Sequence, residues 1–299
     1  MLKSNIFKSL LVIFSLVSFS CKKDIVPNPT FKKINLAESI NVSARLATDN
    51  SLMGNPSNAT TSTVATTNYL MSKTTYTLSY NSVQGKPNWV SWHLDKTWLG
   101  TTTRCDCFSS DATIPSTWYK VTSTSYTGTG FDRGHNCPSG DRTLSSTDNR
   151  ETFLMSNMMP QAPNNNQQTW EKLESYCRTL VSQGNECYII CGSYGSGGIG
   201  SNGGVTYTIN NGKVTVPSNI WKVVLVLPAG TNDVARVTTS TRVIAVNTPN
   251  INSIVTSTWG GYRTSVDAIE AATGYDILSV LPDAIESTLE SRVDNGATL

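Results

Sequence analysis

Strand-like runs rich in Val, Ile, Tyr and Trp recur along this chain without helices falling regularly between them. They cover residues 76–80, 89–94, 152–156, 187–191, 205–209, 220–227 and 242–246. Helical spacing is confined to a few places. Residues 167–181 set Trp170, Leu173, Cys177 and Val181 about three to four apart. Residues 265–272 form a second candidate, ended by Gly274, and residues 282–293 a third, with Pro282 at its start and Ile285, Leu289 and Val293 on one face. A doubly wound parallel sheet needs strand and helix in alternation, so this order argues against it. The pattern predicts an α+β fold.

The N-terminus reads as targeting rather than fold. Lys3 and Lys8 flank the start of an apolar run from Leu10 to Phe19, too short to cross a bilayer, which takes about 20 residues. Ser18-Phe19-Ser20 then precedes Cys21. A basic start, a short apolar core and a small residue before a cleavage point make an export signal over residues 1–20. Cys21 is placed like the Cys of a bacterial lipobox, which is lipidated and becomes the first mature residue. An ordinary signal peptide is the other reading, and its product would be free in the periplasm or the medium. Residues 21–49, with Pro27 and Pro29, form an expected tether, lipidated at Cys21. Composition alone would carry the tether on to Asn68, because 12 of the 19 residues from 50 to 68 are Ser, Thr or Asn.

The 23 basic and 21 acidic residues leave little net charge, and removing residues 1–20 takes away Lys3 and Lys8. No broad basic field marks the chain as a nucleic-acid binder, so any anion site must be local. The glycine-rich stretch 192–204 lacks the Gly-Lys-Ser/Thr ending of a phosphate-cradling loop and reads as a connection.

One local cluster stands out. Asp132-Arg133-Gly134-His135 packs an acid, a strong cation, a flexible backbone point and a titratable base into four residues. His135 is one of only two histidines in the chain. His93, the other, lies in the strand-like run 89–94, where it needs no chemical role. Downstream come Asn164-Asn165-Asn166, then Glu174 and Arg178, which share a helix face at i, i+4. Upstream is Arg104. On these residues alone a capping Asn and a surface ion pair explain the downstream part equally well. Taken together, the cluster offers a base, oxygen ligands suited to Mg²⁺, and guanidinium groups suited to phosphate. That set fits metal-assisted phosphodiester cleavage better than acyl transfer.

The run Phe131-Asp-Arg-Gly-His-Asn-Cys-Pro-Ser-Gly-Asp-Arg142 resembles the DRGH motif of the DNA/RNA non-specific endonucleases. These are ββα-metal, or His-Me finger, enzymes that include endonuclease G. Phe153 through Asn166 matches that family's second block, and Trp170 through Arg178 continues it. Asn88 through Trp92, Gly54 through Ser57 and Trp259 through Pro282 also resemble family segments. The resemblance therefore places the endonuclease domain over residues 50–299 and overrides the compositional boundary at Asn68. It implies a mixed, mainly antiparallel central sheet with flanking helices and a ββα finger.

The resemblance also implies roles. His135 corresponds to the general base. Asn166 corresponds to the direct protein ligand of Mg²⁺, with Mn²⁺ or another divalent cation as a substitute, and Glu174 acts on that ion through water. Arg104, Arg133 and Arg178 correspond to phosphate-binding groups and Asp132 to the acid of the motif. DNA and RNA are the implied substrates, and a lipid on Cys21 would tie the protein to a membrane. The alternatives are an inactive homologue that binds nucleic acid or glycan at the cell surface, and a phosphodiesterase for small nucleotides.

Cys105, Cys107 and Cys137 crowd this region. With Cys177, Cys187 and Cys191 they make an even set in an exported chain, which favours disulfides over zinc. If Arg104 and His135 face one phosphate, Cys105 or Cys107 is expected to bridge to Cys137. Cys177, on the predicted helix, is expected to bridge to Cys187 or Cys191 on the strand that follows.

Overall fold

The long strands of the protein turn alternate side chains to two buried faces, and that alternation builds the body. The computed structural model describes residues 50–298; the expected signal segment and tether, with Cys21, lie outside them. The first strands are β1 (Tyr69–Ser72), β2 (Thr77–Asn81), β3 (Lys86–Leu94), β4 (Asp132–His135) and β5 (Met158–Gln161). They are followed by β6 (Asn185–Tyr194), β7 (Thr208–Ile209), β8 (Val214–Thr215), β9 (Asn219–Pro228), β10 (Arg242–Pro249) and β11 (Arg263–Thr264). The helices are α1 (Ser146–Glu151), α2 (Glu171–Ser182), α3 (Asp233–Arg236), α4 (Val266–Thr273) and α5 (Asp283–Glu290). The main sheet runs β1-β2-β3-β6-β9-β10-β11, with every neighbouring pair antiparallel. The fold is α+β, as the strand order predicts.

One face of this sheet carries Val90, Trp92 and Leu94 of β3, Cys187, Ile189 and Cys191 of β6, and Ile220 and Val224 of β9. Helix α2 covers it with Leu173, Tyr176, Cys177 and Leu180. The other face carries Trp89, Tyr188, Ile190, Trp221, Val223 and Leu225, covered by Val266 and Ile269 of α4 and Leu289 of α5. Each such side chain contributes about 1.5–3 kcal/mol by leaving water. The ends of α4 follow its sequence. Ser265 Oγ accepts from the Ala268 N–H at 3.2 Å, and Gly274 closes the helix at φ 74°, a backbone state open to glycine.

Three expectations shift. Residues 152–156 are not a strand; they form turns, one isolated bridge from Leu154 to Ser109 and the start of a 3₁₀ turn at Met155–Asn157, and continuous pairing begins at Met158. Phe153 and Met155 are buried there as anchors, not in alternation. The strand expected over 205–209 shrinks to Thr208–Ile209, because Gly203 and Gly204 hold positive φ and leave Val205 exposed. The last helix ends at Glu290, and Val293 is half exposed instead of sharing the buried face.

The polar run 50–68 is folded, contrary to its composition. Asn55 Oδ1 accepts from the Ala59 N–H at 2.9 Å and Asn68 Nδ2 donates to Ser57 O at 2.7 Å. Trp89 Nε1 donates to Ser57 Oγ at 2.8 Å, which pins the run to β3. Its Ser and Asn side chains serve backbone turns rather than solvent.

Arg142 is a second anchor. It is fully buried, donates to Thr75 O at 2.6 Å and His93 O at 3.0 Å, and stacks over Trp98 with 4.1 Å to the ring centroid. Arg142→Ala would strand those carbonyls and is expected to cost about 3 kcal/mol or more in urea unfolding. A loss below about 1 kcal/mol would contradict this role.

Candidate active site

β4 and β5 form a separate two-stranded sheet, in which Asp132 faces Gln161 and His135 faces Met158. A helical segment follows at once, a π turn over Asn165–Trp170 that runs into α2. This is a β-β-α finger. Asp-Arg-Gly-His has little intrinsic strand preference, so pairing with β5 makes it extended. Gly134 is needed for the pairing itself: a Cβ there would lie 2.3 Å from Gln161 Oε1 and 2.6 Å from Gln161 Cβ.

The finger opens onto a cleft of about 620 Å³. His135, Asn166, Glu174, Arg104, Arg133, Arg178 and Asp132 all line it, so the structure brings the whole predicted set together. Asp106, Phe108, Ser139, Gln167 and Glu171 line it as well.

His135 is 8% exposed and sits between rings, with Phe108 at 5.5 Å and Phe153 at 4.9 Å between centroids. Burial first, then the charges of Arg104 and Arg133, lower its pKa to about 3. The imidazole is therefore neutral at neutral pH and able to accept a proton. Arg133 stacks on Phe108 with 4.0 Å to the ring centroid, and Arg104 on Phe153 at 4.9 Å. The two aromatic rings thus hold both cations and the base.

The three asparagines divide cleanly. Asn165 is fully buried, and its amide donates to Thr248 Oγ1 at 3.0 Å and Pro249 O at 2.9 Å. Asn164 is exposed and its amide donates to Asn252 O at 2.7 Å. Asn166 turns into the cleft, where its Nδ2 donates to Asp132 Oδ2 at 2.8 Å. Gln167 Nε2 donates to the same oxygen at 2.8 Å. Asp132 thus fixes the Asn166 amide with its nitrogen turned to the acid.

The π turn also sets phase. In a plain α-helix residues eight apart are about 80° out of register. One extra residue in a π turn makes that separation close to two whole turns. Asn166 and Glu174 therefore reach one cleft.

Glu174 and Arg178 find different partners. Glu174 Oε1 lies 3.5 Å from Lys222 Nζ. Arg178 binds Asp141 Oδ1 at 2.9 Å, and Asp141 also accepts from Trp92 Nε1 at 3.0 Å. Lys222 is buried on β9, on the side turned to α2, with 4.4 Å from its Nζ to the Trp170 ring centroid. Burial pushes the Glu174 carboxyl above its ordinary range, while Lys222 and Arg178 act against that. The sequence reading missed Lys222, Asp141 and Phe108. A lone cation inside the apolar run 220–227 was the available signal for Lys222.

The cysteine expectations need correction. Cys105 bridges to Cys107 rather than to Cys137. The bridge closes a tight ring around Asp106, which sits at φ 51° and accepts from Arg104 Nε at 2.7 Å. Cys137 instead packs as a fully buried thiol in the core under α2, away from that surface loop. Cys177, Cys187 and Cys191 are free and buried there too. Burial raises all four thiols, so they act as small apolar core groups and not as bridges. His93 lies on the opposite face of the sheet from α2, stacked on Tyr188 at 4.5 Å and bonded to Glu186 Oε2 at 3.1 Å. It does not approach the cleft.

Residues 53–284 match the family model described as DNA/RNA non-specific endonuclease. The chain belongs to that family. It is 49% identical over 244 residues to a nuclease of Nostoc sp., covering 82% of this chain and 85% of that one. It is 35% identical over 172 residues to nuclease C1 of Cunninghamella echinulata var. echinulata, covering 55% of this chain and 68% of that one. A chain in the crystal structure of an EndoG/EndoGI complex shares its fold, with a TM-score of 0.63 at 24% identity, over 80% of this chain and 93% of that one. The protein is thus an endonuclease whose substrates are nucleic acids.

Proposed function

We propose that the endonuclease hydrolyses DNA and RNA phosphodiesters without sequence preference, depends on Mg²⁺, and leaves 5′ phosphates. The observation that carries this is the neutral His135 facing a cleft shared by Asn166, Glu174 and three guanidinium groups. In the proposed reaction His135 removes a proton from water. The hydroxide forms a new P–O bond in line with the P–O3′ bond that breaks, and the departing 3′ oxygen takes a proton from solvent water. Arg104, Arg133 and Arg178 hold the phosphate and balance its growing charge. They contact phosphate and not bases, so cutting is weakly dependent on sequence.

The donor set fits a hard divalent cation. The Asn166 carbonyl and the Glu174 carboxylate offer oxygen ligands, and Asp132 orients the Asn166 amide. Asn166 would hold Mg²⁺ directly and Glu174 through water; when bound, the ion supplies charge neutralisation at phosphate oxygens. End-group analysis of digested plasmid tests the product chemistry. Ends that a ligase joins without added kinase are expected, whereas 3′-phosphate ends would contradict departure of the 3′ oxygen.

The Cys105–Cys107 ring keeps Asp106 against Arg104. Reduction is expected to loosen that arm and lower kcat/KM by about tenfold. Replacing both cysteines by Ser should mimic the loss and abolish the response to reductant. Unchanged kcat/KM after verified reduction would contradict the clamp.

We further propose export and a lipid on Cys21, supported by the signal-like residues 1–20. Mass spectrometry of the mature N-terminus should find a diacylated Cys21; an unmodified start elsewhere would contradict the anchor.

A further inference from the structure

We propose that Asp267, Glu270 and Glu290 form a binding site for a hard divalent cation of the Ca²⁺ type, separate from the catalytic cleft. Helix α4 presents Asp267 and Glu270 at i, i+3, and α5 presents Glu286 and Glu290 at i, i+4. One oxygen each from Asp267, Glu270 and Glu290 lies within 4.8 Å of the others. Calcium binds oxygen at 2.3–2.6 Å, so ligands on opposite sides of one ion stand about 5 Å apart. The spacing fits. Glu290 is only 7% exposed, its Oε1 is buried with no N–H or O–H donor on it, and its carboxyl is hydrogen-bonded to the neighbouring carboxyl of Glu270. Glu286 Oε1 is buried and unpartnered in the same way. Glu270 Oε1 accepts from the Ile277 N–H at 2.6 Å, which fixes that carboxylate between α4 and the following loop.

The charges around this point share one sign. Burial, then Glu270, Glu286, Asp267 and Asp276, push the Glu290 carboxyl up to about 8. Glu270 is raised by burial, Asp276 and Asp267, against hydrogen bonds with the Ile277 N–H and the Glu290 carboxyl, and Glu286 is raised by burial, Asp276, Glu270 and Asp283. A buried carboxylate must be neutralised, by a proton or by a cation. The other cluster of ligand-type groups, His93, Asp95 and Glu186, differs here, because Arg236 already binds Glu186 and Asp233. No such arginine appears among the groups that act most strongly on Glu290. Exposed Asp267 leaves one side open for entry and for water ligands. An all-carboxylate set favours calcium over softer transition metals.

The site is independent of the proposed catalytic roles, so its test does not rest on them. Calorimetric CaCl₂ titration and thermal melting at about pH 8 on the full chain read it directly. The wild type should bind one equivalent that Glu290→Gln and Asp267→Asn both lose and Asn166→Ala keeps. In the Asn166→Ala background, which lacks the proposed cleft ligand, calcium should raise the melting temperature by roughly 5 °C, and adding Glu290→Gln or Asp267→Asn should remove that rise. Without calcium, Glu290→Gln should melt above the wild type at that pH, since it relieves like-charge repulsion. Equal calcium stabilisation with Glu290→Gln or Asp267→Asn added to Asn166→Ala would overturn the site. So would no calcium effect on the wild type at about 10 mM, which would leave shared protons as the neutralising partner.

Discussion

His135→Ala is expected to lower turnover by at least about 100-fold, the scale on which a lost general base is felt. The side chain is held between Phe108 and Phe153 and makes no ion pair the fold depends on, so the variant should stay folded. The pH dependence gives a second readout. Burial, Arg104 and Arg133 lower the His135 pKa from 6.5 to about 3. The base is then unprotonated across the neutral range, and kcat/KM at saturating Mg²⁺ should show no inflection near pH 6.5. The same shift acts on stability. Below about pH 6.5 the unfolded chain takes up a proton that the folded chain does not, so stability falls as pH drops from there towards about 3. His135→Ala should lose that part of the acid slope. Near-normal turnover in the folded variant would remove His135 from the role of base, and an acid limb centred near 6.5 would contradict its lowered pKa.

Asn166→Ala carries the second large effect. It removes the amide oxygen proposed as the direct metal ligand, so the Mg²⁺ required for half-maximal activity should rise and the maximal rate fall by about 100-fold. Glu174→Ala should act in the same direction more mildly, through waters. Asn165→Ala is the discriminating control. Its amide serves Thr248 and Pro249 inside the fold, so it should cost stability without shifting the Mg²⁺ requirement. A metal requirement that moves with Asn165→Ala while Asn166→Ala stays silent would show the register to be off by one.

The cleft was legible in the sequence because its residues, Arg104 apart, sit in two compact blocks of characteristic spacing. Helix α4 was legible because Ser265 and Gly274 bracket it, each with a local physical reason. His93 was read as a strand residue from its apolar neighbours, and strand alternation does turn it to the face away from the cleft. Contacts between distant segments were not legible. Lys222 meets Glu174 across 48 residues, and nothing local distinguishes a buried lysine from an exposed one. Cys105 and Cys107 were assigned a distant partner from chain neighbourhood, whereas the bond depends on Cα separation, which is 5.1 Å between them. Residues 50–68 looked like linker because polar side chains that close turns and those that face water have one composition. The strand state of Asp132–His135 comes from its partner β5 and leaves no propensity signal.

Degradation of supercoiled DNA and of structured RNA by the purified protein, with Mg²⁺ and with EDTA, tests the central claim most directly. Both substrates should be cut with Mg²⁺, neither with EDTA, and excess Mg²⁺ should restore cutting. Continued cutting in EDTA, or intact DNA and RNA beside rapid hydrolysis of a small aryl phosphodiester, would contradict a metal-dependent endonuclease centred on His135 and Asn166.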